Sequence, residues 1–174
     1  MVTESFPLRV GGDEVPNEHT LLTRVESGRM MNGADSVRFL VIHCSATRCD
    51  QDYTAEQLLR DHKARGFRTV GYHFYIRKNG SVTQHRRLLE VGAHARSFNR
   101  CSIGICYEGG LTPSGQPADT RTPTQKQRLT ELIWKLRKLF PQAVVVGHRD
   151  LPGVKKDCPC FEVAGEYKVR KAHK

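Results

Sequence analysis

Two histidines follow buried β-type segments and are placed where a protein can do chemistry. His43 comes directly after Val41 and Ile42, and His148 comes directly after the run Val144–Gly147. A polar residue just past a buried strand lies at the edge of the sheet, where open α/β sheets form their ligand sites. Either histidine taken alone is better explained as a surface residue or a hydrogen-bonded one. The pair is harder to explain in that way.

Two cysteines follow the second histidine at a short distance. Cys158 and Cys160 lie in the segment KKDCPC. Two imidazoles and one thiolate are a common ligand set for catalytic zinc, with the fourth tetrahedral position left to water. The spacing alone leaves open which cysteine would complete the set, because the ligands are scattered and no compact C-x-x-C pair is present.

The apolar pattern predicts strands that alternate with helices. Capping boxes at Thr54–Gln57 and Thr122–Gln125 begin the two helices, and Asn79-Gly80 predicts a β-hairpin. This order favours an α/β fold: a single domain with a central mixed β-sheet flanked by helices. The histidines after the strands would place a zinc site at the edge of that sheet, in a surface groove. The predicted strands are 37–44, 72–77, 81–85, 102–107 and 143–147, the predicted helices are 54–65 and 122–140, and 109–119 is a predicted loop.

Length and charge limit the function classes. The chain has 174 residues, which is enough for one domain with its own core, and its net charge is +10. Its composition is too varied for a fibrous or disordered protein. Residues 1–35 carry −3 and the rest +13. We expect an extension over 1–36 that is partly disordered or draped over the domain, a domain over 37–165 and a basic tail over 166–174. The basic domain predicts an anionic partner.

The sequence contains neither a secretory signal nor an apolar run long enough to span a bilayer. We therefore expect a protein made in the cytoplasm, without membrane insertion, whose six cysteines are thiols or metal ligands rather than disulfides. Cys44, Cys49, Cys101 and Cys106 are interpreted as small buried residues. A Cys44–Cys49 disulfide stays open as an alternative.

Six short motifs then occur in a recognisable order. The sequence resembles the zinc-dependent N-acetylmuramoyl-L-alanine amidases, a family that includes phage lysozyme-like amidases and peptidoglycan recognition proteins. The resemblance extends over residues 37–162. The motifs are HCSAT at 43–47, VGYHF at 70–74, GAHA at 92–95, SIGI at 102–105, GHRD at 147–150 and KDCPCF at 156–161.

The resemblance implies a role for each matching position. The Zn²⁺ ligands would be His43, His148 and Cys158, since the family's cysteine ligand directly precedes a proline. Tyr72 and Lys156 would be catalytic. His94 is expected either to bind substrate or to hydrogen-bond a loop.

Neighbouring polar residues receive supporting roles. Strand alternation is expected to turn His73 away from Tyr72, as a core or supporting residue. Asp150 is expected to orient the loop of His148. Glu108 is interpreted as a carboxylate at a loop edge rather than as a general base.

The resemblance also implies a function: hydrolysis, by zinc-activated water, of the amide between N-acetylmuramic acid and L-alanine in peptidoglycan. Binding-only relatives typically lose the cysteine ligand, so its presence favours an enzyme. The alternatives are a non-catalytic peptidoglycan-binding module and an amidase with a regulatory protein partner, such as a polymerase, bound through residues 1–35. Nucleic acid ranks last, because no motif for it is present. We expect a monomer that acts on the wall after release or non-classical export.

Overall fold

Seven strands and three helices make up the part of the chain that the computed structural model describes, residues 28–167. Three short 3₁₀ turns, at Ala34–Ser36, Asn99–Cys101 and His148–Asp150, lie between them. In chain order the elements are β1 Phe39–Cys44, β2 Thr47–Arg48, α1 Ala55–Ala64, β3 Phe74–Ile76, β4 Val82–Gln84, β5 Ser102–Tyr107, β6 Gly110–Leu111, α2 Pro123–Leu139, β7 Val144–Gly147 and α3 Val163–Glu166.

The central sheet is mixed, as the alternation of strands and helices predicts. Its strand order is β4-β3-β5-β1-β7. The strands β3, β5, β1 and β7 run parallel, and β4 is antiparallel to β3 across the Asn79-Gly80 turn. In the register between β1 and β7, Ile42 lies opposite Gly147. A histidine follows each of these two residues in the chain, so this register sets His43 and His148 side by side.

Helices cover both faces of the sheet. On one face, Leu40 and Ile42 pack in one core with Leu132 and Ile133 of α2. On the other face, Tyr75 and Cys106 pack with Ala55 and Leu58 of α1. The two long helices begin at the predicted capping boxes, in which Thr54 and Thr122 accept the backbone N–H of Gln57 and Gln125. No described helix has the length and apolar character to cross a bilayer.

The structure departs from the predicted elements at several ends. The strands predicted at 37–44, 72–77 and 81–85 are shorter, and the predicted loop 109–119 contains β6, which pairs with β2. Two-residue strands leave no periodic signal in a sequence. Glu166 and Tyr167, placed in the predicted tail, instead pack on the domain, where Glu166 pairs with Arg121.

The N-terminal boundary is described only in part. Met31, inside the predicted extension 1–36, is buried and donates its backbone N–H to the carbonyl of Leu89. Residues 1–27 and 168–174 lie outside the described part of the chain. The division into extension, domain and tail therefore stays a prediction.

Glu108 is a buried anchor rather than the loop-edge carboxylate expected from the sequence. It follows β5 and is 1% exposed. Its carboxylate accepts the backbone N–H of Tyr53 at 2.6 Å and of Lys78 at 2.8 Å. It also pairs with Arg77 at 3.1 Å. One side chain thus ties the segment before α1 to the hairpin turn.

Removing this anchor is expected to cost much more than removing an exposed carboxylate on the same arginine. Glu108→Ala should lower the free energy of unfolding by about 3–5 kcal/mol, because it leaves two backbone N–H groups without their acceptor and Arg77 without its buried partner. Asp52 also contacts Arg77, at 3.6 Å, but its side chain is 80% exposed. Asp52→Ala should change stability by less than about 1 kcal/mol. Urea denaturation of both variants measures the difference, and equal losses would contradict the anchoring role.

Candidate functional site

His43, His148 and Cys158 meet at the carboxyl ends of β1 and β7. One ligand atom from each lies within 4.8 Å of the other two. His43 is 2% exposed, and its ring centroid is 4.5 Å from that of His148. The Nδ1 atom of His43 is 3.8 Å from the Sγ atom of Cys158. Residues more than a hundred positions apart in the chain are thus brought to one point by the sheet and the loop after it.

Backbone hydrogen bonds hold the loop of Cys158 against the two histidines. The N–H of Arg149, next to His148, donates to the carbonyl of Cys158 at 2.8 Å. The N–H of Cys44, next to His43, donates to the Sγ atom of Cys158 at 3.3 Å. The residue that follows each histidine therefore donates a hydrogen bond to Cys158.

Asp150 shapes the turn that carries His148. Its Oδ2 atom accepts the backbone N–H of Gly147 at 2.8 Å, closing the 3₁₀ turn on the end of β7. A carboxylate in this position fixes the path of the backbone on both sides of the histidine. This contact is of the kind that the sequence predicts for Asp150.

The donor set fits zinc. Zn²⁺ binds histidine nitrogen at about 2.0–2.1 Å and cysteine sulfur at about 2.3 Å, so a tetrahedral site separates the two donors by about 3.6 Å. The observed separation between His43 Nδ1 and Cys158 Sγ is 3.8 Å. Burial lowers the pKa of His43 well below its usual value and also lowers the pKa of His148. Both imidazoles are therefore neutral at pH 7, the form that can donate a lone pair to a metal.

Cys160 lies away from this set. Its Sγ atom is 3.8 Å from the Sγ atom of Cys44, and burial raises its pKa to about 12. All six cysteines are free thiols, so the alternative Cys44–Cys49 disulfide is not formed. Cys44 and Cys106 are buried, as their positions in strands predict.

Tyr72 and Lys156 both act on the histidine pair. The ring of Tyr72 is 4.9 Å from that of His43, and its hydroxyl is hydrogen-bonded to the thiol of Cys106. Burial raises the pKa of Tyr72 well above its usual value, so its hydroxyl stays protonated. Lys156 is exposed, and its positive charge adds to the burial that lowers the pKa of both His43 and His148. A protonated hydroxyl and an exposed lysine thus accompany the cluster.

His94 is bonded inside the protein at both ring nitrogens. Its Nδ1 atom is 2.9 Å from the Nε2 atom of His43, and its Nε2 atom is 3.3 Å from the hydroxyl of Ser102. Of the two roles left open by the sequence, the structure shows hydrogen bonding, here to the candidate ligand His43 itself. Substrate binding by His94 stays a prediction.

Two further histidines support the loops around the site. His73 is fully buried, accepts the backbone N–H of Gly104 and contacts the carbonyl of Glu90. His62 on α1 accepts the N–H of Gly71, and its ring lies 5.5 Å from that of Tyr72. His73 is thus the buried supporting residue that the sequence predicts, and its ring is 5.9 Å from that of His94.

Ser102 and His62 contribute contacts that the sequence does not predict. Helical spacing indicates burial of His62 but not its hydrogen bond to Gly71. No local signal connects Ser102 to His94, because the contact depends on how the loop before β5 folds back.

Comparison with known proteins points to one family. Residues 33–161 match the family model described as N-acetylmuramoyl-L-alanine amidase. The endolysin of Enterobacteria phage K11 is 37% identical over 122 residues, which cover 70% of this chain and 80% of that protein. The solved structure of the N-acetylmuramoyl-L-alanine amidase LysC from Clostridium intestinale URNW superposes with a TM-score of 0.64 at 26% identity, covering 81% of this chain and 90% of that one. Wild-type Drosophila PGRP-LB shares the fold, with a TM-score of 0.58 at 23% identity over 78% of this chain and 79% of that one.

The buried histidines predict that acid destabilises the fold. Burial lowers the pKa of His62 to about 4 and of His73 to about 3, from 6.5. Because the unfolded chain takes up these protons near pH 6.5 and the folded chain does not, the free energy of unfolding falls as the pH drops below that value. Each such histidine adds up to about 1.4 kcal/mol per pH unit to the slope.

His62→Asn tests this linkage, because the asparagine oxygen keeps an acceptor for Gly71 and removes the titration. Urea denaturation of the metal-free protein between about pH 6 and pH 4.5 should give a shallower slope for the variant, by about one proton. Parallel profiles for the variant and the wild type would contradict the prediction.

Proposed function

The chain belongs to the N-acetylmuramoyl-L-alanine amidase family, and we propose that it hydrolyses the amide between the lactyl group of N-acetylmuramic acid and L-alanine in peptidoglycan. In this proposal His43, His148 and Cys158 hold a Zn²⁺ ion. The observation that carries it is their convergence, one ligand atom each within 4.8 Å, inside the segment that matches the family. Three protein donors leave one tetrahedral position for water or substrate, as catalytic zinc sites do.

Hydrolysis of an amide at neutral pH needs a strong nucleophile and a stabilised oxyanion. When bound, Zn²⁺ supplies a Lewis acid that polarises the carbonyl and lowers the pKa of a water molecule, so that this water can act as a nucleophile at neutral pH. The chain's contribution is to keep His43 and His148 neutral by burial and to keep Cys158 in place through the N–H groups of Cys44 and Arg149. These contacts prepare the donors before metal or substrate arrives.

Lys156 and Tyr72 are suited to the remaining charge and proton requirements. The ammonium of Lys156 acts electrostatically on both histidines, which supports a role in stabilising the charge that develops on the substrate oxygen. A positioned donor of this kind commonly contributes a few kcal/mol to the transition state. The hydroxyl of Tyr72 remains protonated, so it can donate a hydrogen bond to the departing L-alanine nitrogen.

The site favours an enzyme over a binding-only module. The cysteine donor is present and held by two backbone N–H groups, whereas a module that only binds peptidoglycan has no need for it. The positive charge of the domain suits a wall rich in peptide carboxylates. A regulatory partner on residues 1–35, a monomeric state and the route to the wall stay predictions.

The choice of cysteine is tested with two matched variants. Cys158→Ser should lose bound zinc and amidase activity together, because it removes one of three protein donors. Cys160→Ser should keep both, since its sulfur faces Cys44. Elemental analysis gives the zinc content, and mass analysis of fragments from defined peptidoglycan gives the new L-alanine amino termini. Zinc retained in Cys158→Ser, or lost in Cys160→Ser, would contradict the ligand assignment. Zinc without fragment release would argue for the binding module.

The role of Lys156 is tested against the lysine beside it. Lys156→Met should lower kcat by about 10²-fold or more while zinc content stays at the wild-type value, because charge stabilisation is lost and the donors are intact. Lys155 is also exposed and forms the control: Lys155→Met should leave kcat within about twofold, since Lys156, and not Lys155, is among the charges that lower the pKa of His43 and His148. Steady-state hydrolysis of a muramoyl peptide measures both. Equal kcat values for the two variants would exclude a catalytic Lys156.

A further inference from the structure

The contacts of Ser102 determine where its single hydrogen points. Its hydroxyl oxygen is 2.7 Å from the carbonyl oxygen of Phe98 and 3.3 Å from the Nε2 atom of His94. A carbonyl only accepts, and a serine hydroxyl has one hydrogen and two lone pairs. The shorter contact therefore takes the hydrogen, and Ser102 is left as an acceptor toward His94. Since Ser102 is fully buried, water does not replace this arrangement.

This orientation fixes the hydrogens on both rings. With its hydrogen on Nε2, facing Ser102, the neutral His94 has a lone pair on Nδ1. That lone pair lies 2.9 Å from the Nε2 atom of His43 and accepts its hydrogen. The remaining nitrogen of His43, Nδ1, is then a bare lone pair, and it is the one that lies 3.8 Å from the Sγ atom of Cys158.

Two glycines leave the space that the ring of His94 occupies when it forms these hydrogen bonds. A Cβ atom on Gly104 would lie 2.7–2.8 Å from three atoms of the His94 ring, and a Cβ on Gly92 would lie 2.7 Å from its Cδ2 atom. No larger residue fits at either place without moving the ring. His73 in turn holds Gly104 by accepting its backbone N–H at 3.0 Å. The ring of His94 is therefore packed in place as well as bonded.

We propose that His94 and Ser102 are positioning residues that set the tautomer of His43, so that its Nδ1 lone pair is already directed at the metal position in the metal-free protein. The inference rests on the metal site of the proposed function but not on the reaction. Outer hydrogen bonds of this kind typically change metal affinity by about 10- to 100-fold. They act by holding a ligand in one tautomer and one orientation.

Zinc affinity tests the proposal without any measurement of catalysis. In a competition titration of the full-length protein with a chromophoric chelator, His94→Leu should bind Zn²⁺ about 10- to 100-fold more weakly. His94→Asn should recover most of that loss, since its side-chain oxygen stands in the place of Nδ1. Wild-type affinity in a folded His94→Leu, or no recovery in a folded His94→Asn, would overturn the proposal.

A second measurement uses the wild-type protein, so its main result does not depend on whether a substituted protein folds. Long-range proton–nitrogen NMR of the metal-free wild-type protein should show hydrogen on Nε2 of both His43 and His94. In Ser102→Ala, which removes the last acceptor, the Nε2 hydrogen of His43 should be less populated. Hydrogen on Nδ1 of His43 in the wild type would overturn the proposal. Zinc binding and tautomers as expected, together with no release of L-alanine termini, would leave the inference standing and refute the proposed function.

Discussion

The parallel pairing of β1 with β7 is the constraint on which the site depends. Ile42 faces Gly147 in this pairing, so the residues that follow, His43 and His148, come to lie with their rings 4.5 Å apart. A shift of one residue in the register would send one of the two side chains to the opposite face. The apolar residues of β1 and Val145 of β7, packed in the cores on the two faces of the sheet, keep the register in place.

Three further histidines around this pair make neutral polar contacts. His62 and His73 each accept a backbone N–H from a loop or strand segment, and His94 accepts from or donates to its neighbours at both nitrogens. Burial lowers the pKa of all three. Neutral imidazoles suit this environment, because each offers one donor and one acceptor and adds no charge that would compete with the metal. Glu108, in contrast, anchors the hairpin turn with a charge that is paired with Arg77.

The sequence was sufficient for the features that have a local signal. Both capping boxes start their helices as predicted, and SIGICY forms a strand over the predicted residues. The convergence of His43, His148 and Cys158 followed from strand ends together with a family pattern. The pairing of β2 with β6, the burial of Glu108 and the contact of Ser102 with His94 had no such signal. Each depends on which distant segments meet, and neither periodicity nor turn chemistry encodes that meeting.

The central claim is that two histidines and one cysteine, and no second sulfur, form the metal site. X-ray absorption spectroscopy of the zinc-loaded protein tests it most directly, because it counts the sulfur atoms bound to the metal. The structure predicts one sulfur at about 2.3 Å and three nitrogen or oxygen neighbours at about 2.0–2.1 Å. Two sulfur neighbours would mean that Cys160 turns from Cys44 toward the metal. No sulfur neighbour would mean that the convergence of His43, His148 and Cys158 is not a zinc site.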